Sequence, residues 1–188
     1  MRTKQLSLLD KKTKKRYGRT SHGGTPTKGK RKLERPLSKG WIHLVLKSDK
    51  AVGKLSFLSP KNKRAVERVL GIKAQKFGVR IAERVNMGNH FHMKIRITSR
   101  ESFQKYLKSV TTLIARTVTG ARRGKKFGRF WQGLAYTRVL KSYIEELNLR
   151  GYFEANEAEA KLGQGARERM LKRFNDWVYK EQGWKSSA

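Results

Sequence analysis

Eight consecutive residues, His90-Phe91-His92-Met93-Lys94-Ile95-Arg96-Ile97, alternate polar and apolar without exception. Only an extended strand places every second side chain on one side, so this run has a basic face and an apolar face. A strand cannot bury such a face alone. It must belong to a sheet whose apolar side is covered by another layer.

The rest of the chain supplies the partners. Residues 41–46 read as a first, mostly buried strand. Ser59-Pro60 opens a helix, with Ser as the cap and Pro at the first helical position, and Gly78 ends it. Residues 79–87 form a second strand, and Met87-Gly88-Asn89 is a tight turn into the alternating run. Thr98 and Glu101 read as a capping box for a helix with the stripe Phe103, Tyr106, Leu107, Val110, Leu113, Ile114 and Val118, stopped by Gly120. Residues 130–140 suggest one or two more strands, residues 142–162 a third helix closed by Gly163, and residues 166–179 a last amphipathic segment. The order β-α-β-β-α-β(β)-α-α predicts an α+β fold. It is a ferredoxin- or RRM-like sandwich: a central antiparallel sheet with helices on one face, plus a basic N-terminal arm and a C-terminal helix.

The charge bounds the partners. The chain has 188 residues, with 46 Lys and Arg against 14 Asp and Glu, for a formal net charge of +32. A surface this basic attracts a polyanion, and nucleic acid is the commonest. The absence of Cys excludes a disulfide framework, Cys-ligated zinc and iron–sulfur clusters. No apolar run approaches the roughly 20 residues of a membrane span, and residues 1–10 lack the apolar core of a secretory signal, so no membrane partner is expected. Residues 1–36 hold 13 Lys and Arg with few apolar side chains and are expected to form a mobile basic arm that tracks phosphates, Lys28, Lys30, Arg31 and Lys32 among them. Residues 121–129 form a second basic element, a glycine-broken loop carrying Arg122, Arg123, Lys125, Lys126 and Arg129. Phe127 in that loop and Trp131 just after it are candidates for base stacking. So are Trp41 and Phe130, although core packing is the plainer role for every one but Phe127.

Two features point to chemistry. Of four His, two stand at 90 and 92, on one face of the strand, with Lys94 and Arg96 continuing that face. If helices cover the apolar side, the imidazoles lie on an open basic face, where a His pair at this spacing can chelate one divalent ion. Two imidazoles are an incomplete shell. His43, alternating with Trp41 and Val45, reads as a structural residue. The third helix is locally acidic inside a strongly basic chain, with Glu145, Glu146, Glu154, Glu157 and Glu159. Its core stripe reads as Ile144, Leu147, Gly151, Ala155, Ala158 and Leu162, with Tyr152 and Asn156 one turn apart beside it. On spacing alone a solvated acidic face with a partly packed Tyr is the plainer reading. Tyr136 and Tyr143 stay open as nucleophiles, but neither has an Asn four residues later.

Taken together these residues resemble the HUH-type single-tyrosine transposases, in the branch of REP-associated tyrosine transposases. Val85-Asn86-Met87-Gly88-Asn89-His90-Phe91-His92-Met93 is similar to that family's Met-Pro-Asn-His-x-His segment, with Gly88 in place of Pro. Phe130-Trp131-Gln132 resembles its Trp-Gln pair. Gly151-Tyr152-Phe153-Glu154-Ala155-Asn156 resembles its Tyr-Ile-x-x-Asn-Pro, with Glu157 where Pro is usual. The resemblance spans about residues 39–163. It implies that His90, His92 and Asn156 bind Mg2+ or Mn2+. It implies that Tyr152 attacks a phosphodiester of single-stranded DNA to leave a 5′-phosphotyrosine and a free 3′-hydroxyl. Hairpin DNA would be held through Lys94, Arg96, the arm and the loop, in the bacterial cytoplasm at the nucleoid.

The implied organisation is an arm over 1–36, a transposase domain over 37–163 and a helical extension over 164–188. Monomer and homodimer both remain open. Composition alone would also suit a non-catalytic RNA- or ribosome-binding protein, and an inactive hairpin-binding relative is a third reading.

Overall fold

The computed structural model describes residues 20–24 and 34–182. Its elements are β1 (Ser21–Gly24), β2 (Ile42–Lys47), α1 (Pro60–Lys76), β3 (Arg80–Asn86), β4 (His90–Arg96), α2 (Arg100–Thr119), β5 (Leu134–Val139), α3 (Tyr143–Leu162) and α4 (Gln164–Gln182). The strands form one antiparallel sheet in the order β1-β5-β2-β4-β3. The architecture is α+β with a central antiparallel sheet, as the alternating run requires. Among the described residues no helix is long and apolar enough to cross a membrane.

One face of the sheet carries the main core. Ile42, Leu44 and Leu46 of β2 and Phe91, Met93 and Ile95 of β4 pack against Val66 and Leu70 of α1 and Phe103, Tyr106, Val110 and Ile114 of α2. All are nearly or fully buried, so each contributes roughly 1.5–3 kcal/mol of transfer free energy. The β2–β4 register pairs Leu44 with Met93 and Val45 with His92, and this register separates the apolar and histidine faces.

Helices were expected on one face only, and α1 and α2 form that layer. The structure adds α3 and α4 on the opposite face. There Leu149 and Phe153 of α3 join Val85 and Leu140 in a second, smaller cluster, with Trp41, Met87 and Tyr152 at its border. The histidine face is therefore covered rather than open: His43 and His92 are 5% and 4% exposed.

Other local differences have simple causes. Ser99, not Thr98, caps α2, its hydroxyl accepting from the Ser102 amide at 3.0 Å. Ser59 precedes Pro60 but makes no side-chain cap bond. Within the segment read as an arm, Ser21–Gly24 adds to the sheet edge beside β5. Arg35 ties the following segment down, donating to the Ala135 carbonyl at 2.8 Å and the Thr137 hydroxyl at 2.6 Å. Lys28, Lys30, Arg31 and Lys32 lie outside the described residues.

Candidate active site

The turn before β4 sets the first histidine. Gly88 has φ +84°, and its amide donates to Asn86 Oδ1 at 2.9 Å. Proline, locked near −65°, cannot adopt this φ, so glycine here specifies a different turn from the Pro-bearing pattern. Asn89, the next residue, places Oδ1 2.6 Å from His90 Nδ1. Two residues on, His92 Nδ1 lies 3.1 Å from His43 Nε2. His43 pairs across the strands with Lys94, so it is the diagonal neighbour of His92. The Asn89 oxygen can only accept, so His90 carries its proton on Nδ1 and presents an Nε2 lone pair; His92 does the same in the tautomer whose Nδ1–H donates to His43.

All three rings are held neutral. Burial, then the Arg138 charge, lowers His43 to about 3. Burial, then Lys47 and Arg167, lowers His90 to about 4. Burial lowers His92 well below its usual value, helped by His43, His90 and Arg167. Neutral imidazole is the ligand form, so near neutral pH no proton has to leave before a cation binds.

Helix α3 brings the tyrosine. Ser142 caps it, its hydroxyl accepting from the Glu145 amide at 3.2 Å. Buried Glu145 accepts from the Lys141 amide at 2.9 Å and meets Arg138 at 3.4 Å, which pins the helix start to β5. The helix then crosses the histidine face. The Phe153 ring lies edge-on to His43 at 5.6 Å between centroids. The Tyr152 ring lies edge-on to His92 at 5.2 Å and 6.3 Å from His43. Asn156, one turn later, is 2% exposed, and its Nδ2 has no hydrogen-bond partner. His92 Nε2 is also buried without one. Glu157 in place of Pro lets the helix continue to Leu162, and Gly163 closes it.

The expected core stripe of this helix is buried in its middle, at Leu147, Gly151 and Ala155, but not at its ends. Leu149 and Phe153 face the sheet, while Gly151 lies under Phe174 of α4, and Ile144 and Leu162 are exposed. Two partners on different sides, sheet and α4, explain why one stripe did not describe it.

Among the described residues no group of three or more His, Cys, Asp or Glu side chains is placed to hold a metal ion. A divalent ion here would take the His90 and His92 nitrogens with the Asn156 amide. The orphaned Nε2 of His92 and the enforced neutrality of both rings fit that group, with Asn156 binding through Oδ1 and positions left for substrate oxygens.

The residues expected at DNA are dispersed. Lys94 is engaged inside the protein, 3.0 Å from Glu146 and 3.7 Å from Glu83. Arg96 stacks over the Trp41 ring at 4.6 Å. Trp131 donates from Nε1 to the Thr111 carbonyl at 2.9 Å and packs on Phe57 and Phe130, so its indole is anchored. The loop does come together. Arg122 and Lys125 exchange backbone hydrogen bonds across a tight turn. Arg122, Arg123, Lys126 and exposed Phe127 line a concavity of about 360 Å3 with Arg116, and Arg129 lies beside it.

Of the other tyrosines, Tyr143 is 70% exposed at the start of α3. Tyr136 sits 6.0 Å from His43, and burial raises its phenol above the ordinary range. Sequence reasoning set His43 aside as structural and did not single out Asn89, Arg138 or Arg167. Alternation put His43 on one face of its strand, but only the register shows which neighbour it meets.

No protein-family model matches the chain, and no curated protein matches it. Two solved structures are similar. A candidate transposase from Deinococcus radiodurans R1 is 15% identical, with 67% of this chain and 97% of that one covered, at a TM-score of 0.43. A REP-associated tyrosine transposase, solved bound to a REP hairpin, is 13% identical, with 78% of this chain and 79% of that one covered, at a TM-score of 0.50. The second likeness is one of fold, and it is the fold of the family that the motifs resemble.

Proposed function

We propose that this protein is a metal-dependent single-stranded DNA endonuclease and strand transferase that recognises hairpin DNA. The observation that carries the reading is the Tyr152 ring set edge-on against His92, whose Nε2 is buried without a partner, with Asn156 buried one turn along the same helix. The transposase fold supports it, as does a solved relative that holds a hairpin.

In this reading Tyr152 Oη attacks the scissile phosphorus. An Oη–P bond forms and the P–O3′ bond breaks. The phenol gives up its proton and the departing O3′ takes one up, leaving a 5′-phosphotyrosine and a 3′-hydroxyl. One ester replaces another, so the bond energy is kept for rejoining and no nucleotide cofactor is needed. A Mg2+ or Mn2+ ion bound by His90, His92 and Asn156 would polarise the scissile phosphate. Asn89 and His43 fix the tautomers and planes of the two rings. Phe153 and α3 exclude water from the buried side. The loop 121–129 would hold the DNA backbone, with Phe127 as a stacking platform.

The test is a covalent-adduct assay on labelled single-stranded DNA with a hairpin, in the presence of Mn2+. The expected result is a denaturation-resistant band that disappears with Tyr152→Phe and with chelator, while DNA binding persists. Tight hairpin binding without the band would make the protein a binding-only relative. Retention of the full band in a His90→Ala/His92→Ala variant would overturn the metal assignment.

A further inference from the structure

The resemblance ends near Gly163, and α4 lies beyond it. Its first turn nevertheless reaches the site. Ala166 is 3% exposed, and the adjacent Arg167 places its guanidinium carbon 5.6 Å from the centroid of the Tyr152 ring. The same charge bears on both His90 and His92, where it adds to the effect of burial in keeping them neutral. Arg167 thus lies over the tyrosine ring, with its charge felt at both imidazoles.

Its own bonding is incomplete. Arg167 reaches Glu159 through one nitrogen at 3.5 Å, long for a charge-assisted hydrogen bond. Its Nε is buried and has no hydrogen-bond partner. Here a rigid cation with spare donors stands at the one place where a tyrosine, two metal-competent nitrogens and a buried amide meet. An anion with more than one acceptor oxygen would satisfy such a fork.

We propose that Arg167 is a catalytic residue, donating to a non-bridging oxygen of the phosphodiester that Tyr152 attacks. This rests on the assignment of Tyr152 as nucleophile. As Oη–P forms and P–O3′ breaks, the phosphoryl group passes from one negative charge towards two and returns to one in the phosphotyrosine diester. Arg167 keeps its protons throughout and opposes the transient second charge. Glu159 is its positioning residue, and α4 becomes part of the active site rather than an appendage.

The experiment measures the single-turnover rate of adduct formation at saturating DNA, with the full chain and Mn2+. It compares wild type, Arg167→Met and Arg167→Lys. Each reacts with the natural phosphodiester and with the two methylphosphonate diastereomers at the scissile position, in which one oxygen is replaced by an uncharged methyl. Arg167→Met is expected to lose about 10²–10³-fold on the phosphodiester, the usual effect of removing one oxyanion donor. On the diastereomer lacking the oxygen that Arg167 contacts, the variant and wild type should differ by a few-fold at most. Arg167→Lys, which keeps the charge and the helix, should lose less but show the same selectivity. It carries the test if Arg167→Met does not fold. Wild-type rates in the variants, or an equal loss on the phosphodiester and both methylphosphonates, would overturn the proposal, the latter marking a structural role. An unreactive wild type would instead overturn the assignment of Tyr152, and this inference with it.

Discussion

At the scale of single residues, the site rests on three imidazoles that the protein keeps uncharged. Each has a native pKa below the unfolded value of 6.5, His43 at about 3 and His90 at about 4. Below pH 6.5 the unfolded chain therefore binds more protons than the native one, and stability falls with falling pH. The loss begins near pH 6.5 and continues towards pH 3, where native His43 takes up its proton, whereas above pH 6.5 these groups contribute no slope. Urea midpoints in chelator should decline between pH 6.5 and 5, before most carboxylates titrate, and His43→Gln should flatten that decline. An unchanged midpoint over this window would mean the rings are solvated. His43 also holds His92 Nδ1 at 3.1 Å, so His43→Ala should weaken Mn2+ binding about 10–100-fold by calorimetry, the usual effect of losing the group that orients a ligand. Wild-type affinity would make His43 a packing residue. The two imidazoles make Mn2+ the better fit than Mg2+, which prefers oxygen ligands.

At the scale of elements, α3 is held from two sides, and glycine makes that possible. A Cβ built on Gly151 would stand 2.5 Å from the Phe174 ring, whereas one on Gly71 of α1 would meet nothing within 4 Å. Gly71→Ala should therefore stabilise the protein by about 0.8–1.0 kcal/mol through helix propensity. Gly151→Ala should destabilise it by about 1–3 kcal/mol and speed amide exchange in α4, because α4 must back away. Equal effects from the two substitutions would remove α4 from its place on α3. The same contrast explains what the sequence made legible. Period-2 alternation in β4, Pro60 at the start of α1, and Gly120 and Gly163 at helix ends are local signals, and those elements lie where they were expected. The stripe of α3 was read only in part because the helix serves two neighbours. The cover over the histidine face was missed because alternation reports a strand's two faces and not what later packs on them. Strand β1 lies in a segment with too few apolar residues to be expected in a sheet. It is there because the backbone of β5 offers an unpaired edge.

At the scale of the whole molecule, the net charge of +32 is unevenly used. Lys94, Arg138 and Arg167 lie near the site and are each set against a Glu, which leaves that region nearly balanced. Among the described residues the loop cations Arg122, Arg123, Lys125 and Lys126 form no ion pair, and Arg122, Arg123 and Lys126 line a concavity with the exposed Phe127. In the proposed reading, charge for capture lies on the α2–β5 loop and charge for chemistry on β4, β5 and α4. Replacing the four loop cations by Gln should then act on binding alone. Each phosphate left without its cation lowers the steepness of log K against log salt by about 0.7 for single strands and about 0.9 for duplex. The quadruple variant should flatten the slope by up to about 2.8 on single strands and about 3.6 on duplex, and weaken hairpin binding most at low salt. At saturating DNA its single-turnover adduct rate should match wild type, because no loop residue touches the Tyr152 site. Tyr152→Phe should do the reverse, with an unchanged salt slope and no adduct. If the loop variant bound normally but reacted slowly, the loop would be shaping the bound strand at the site, and the division between capture and chemistry would fail.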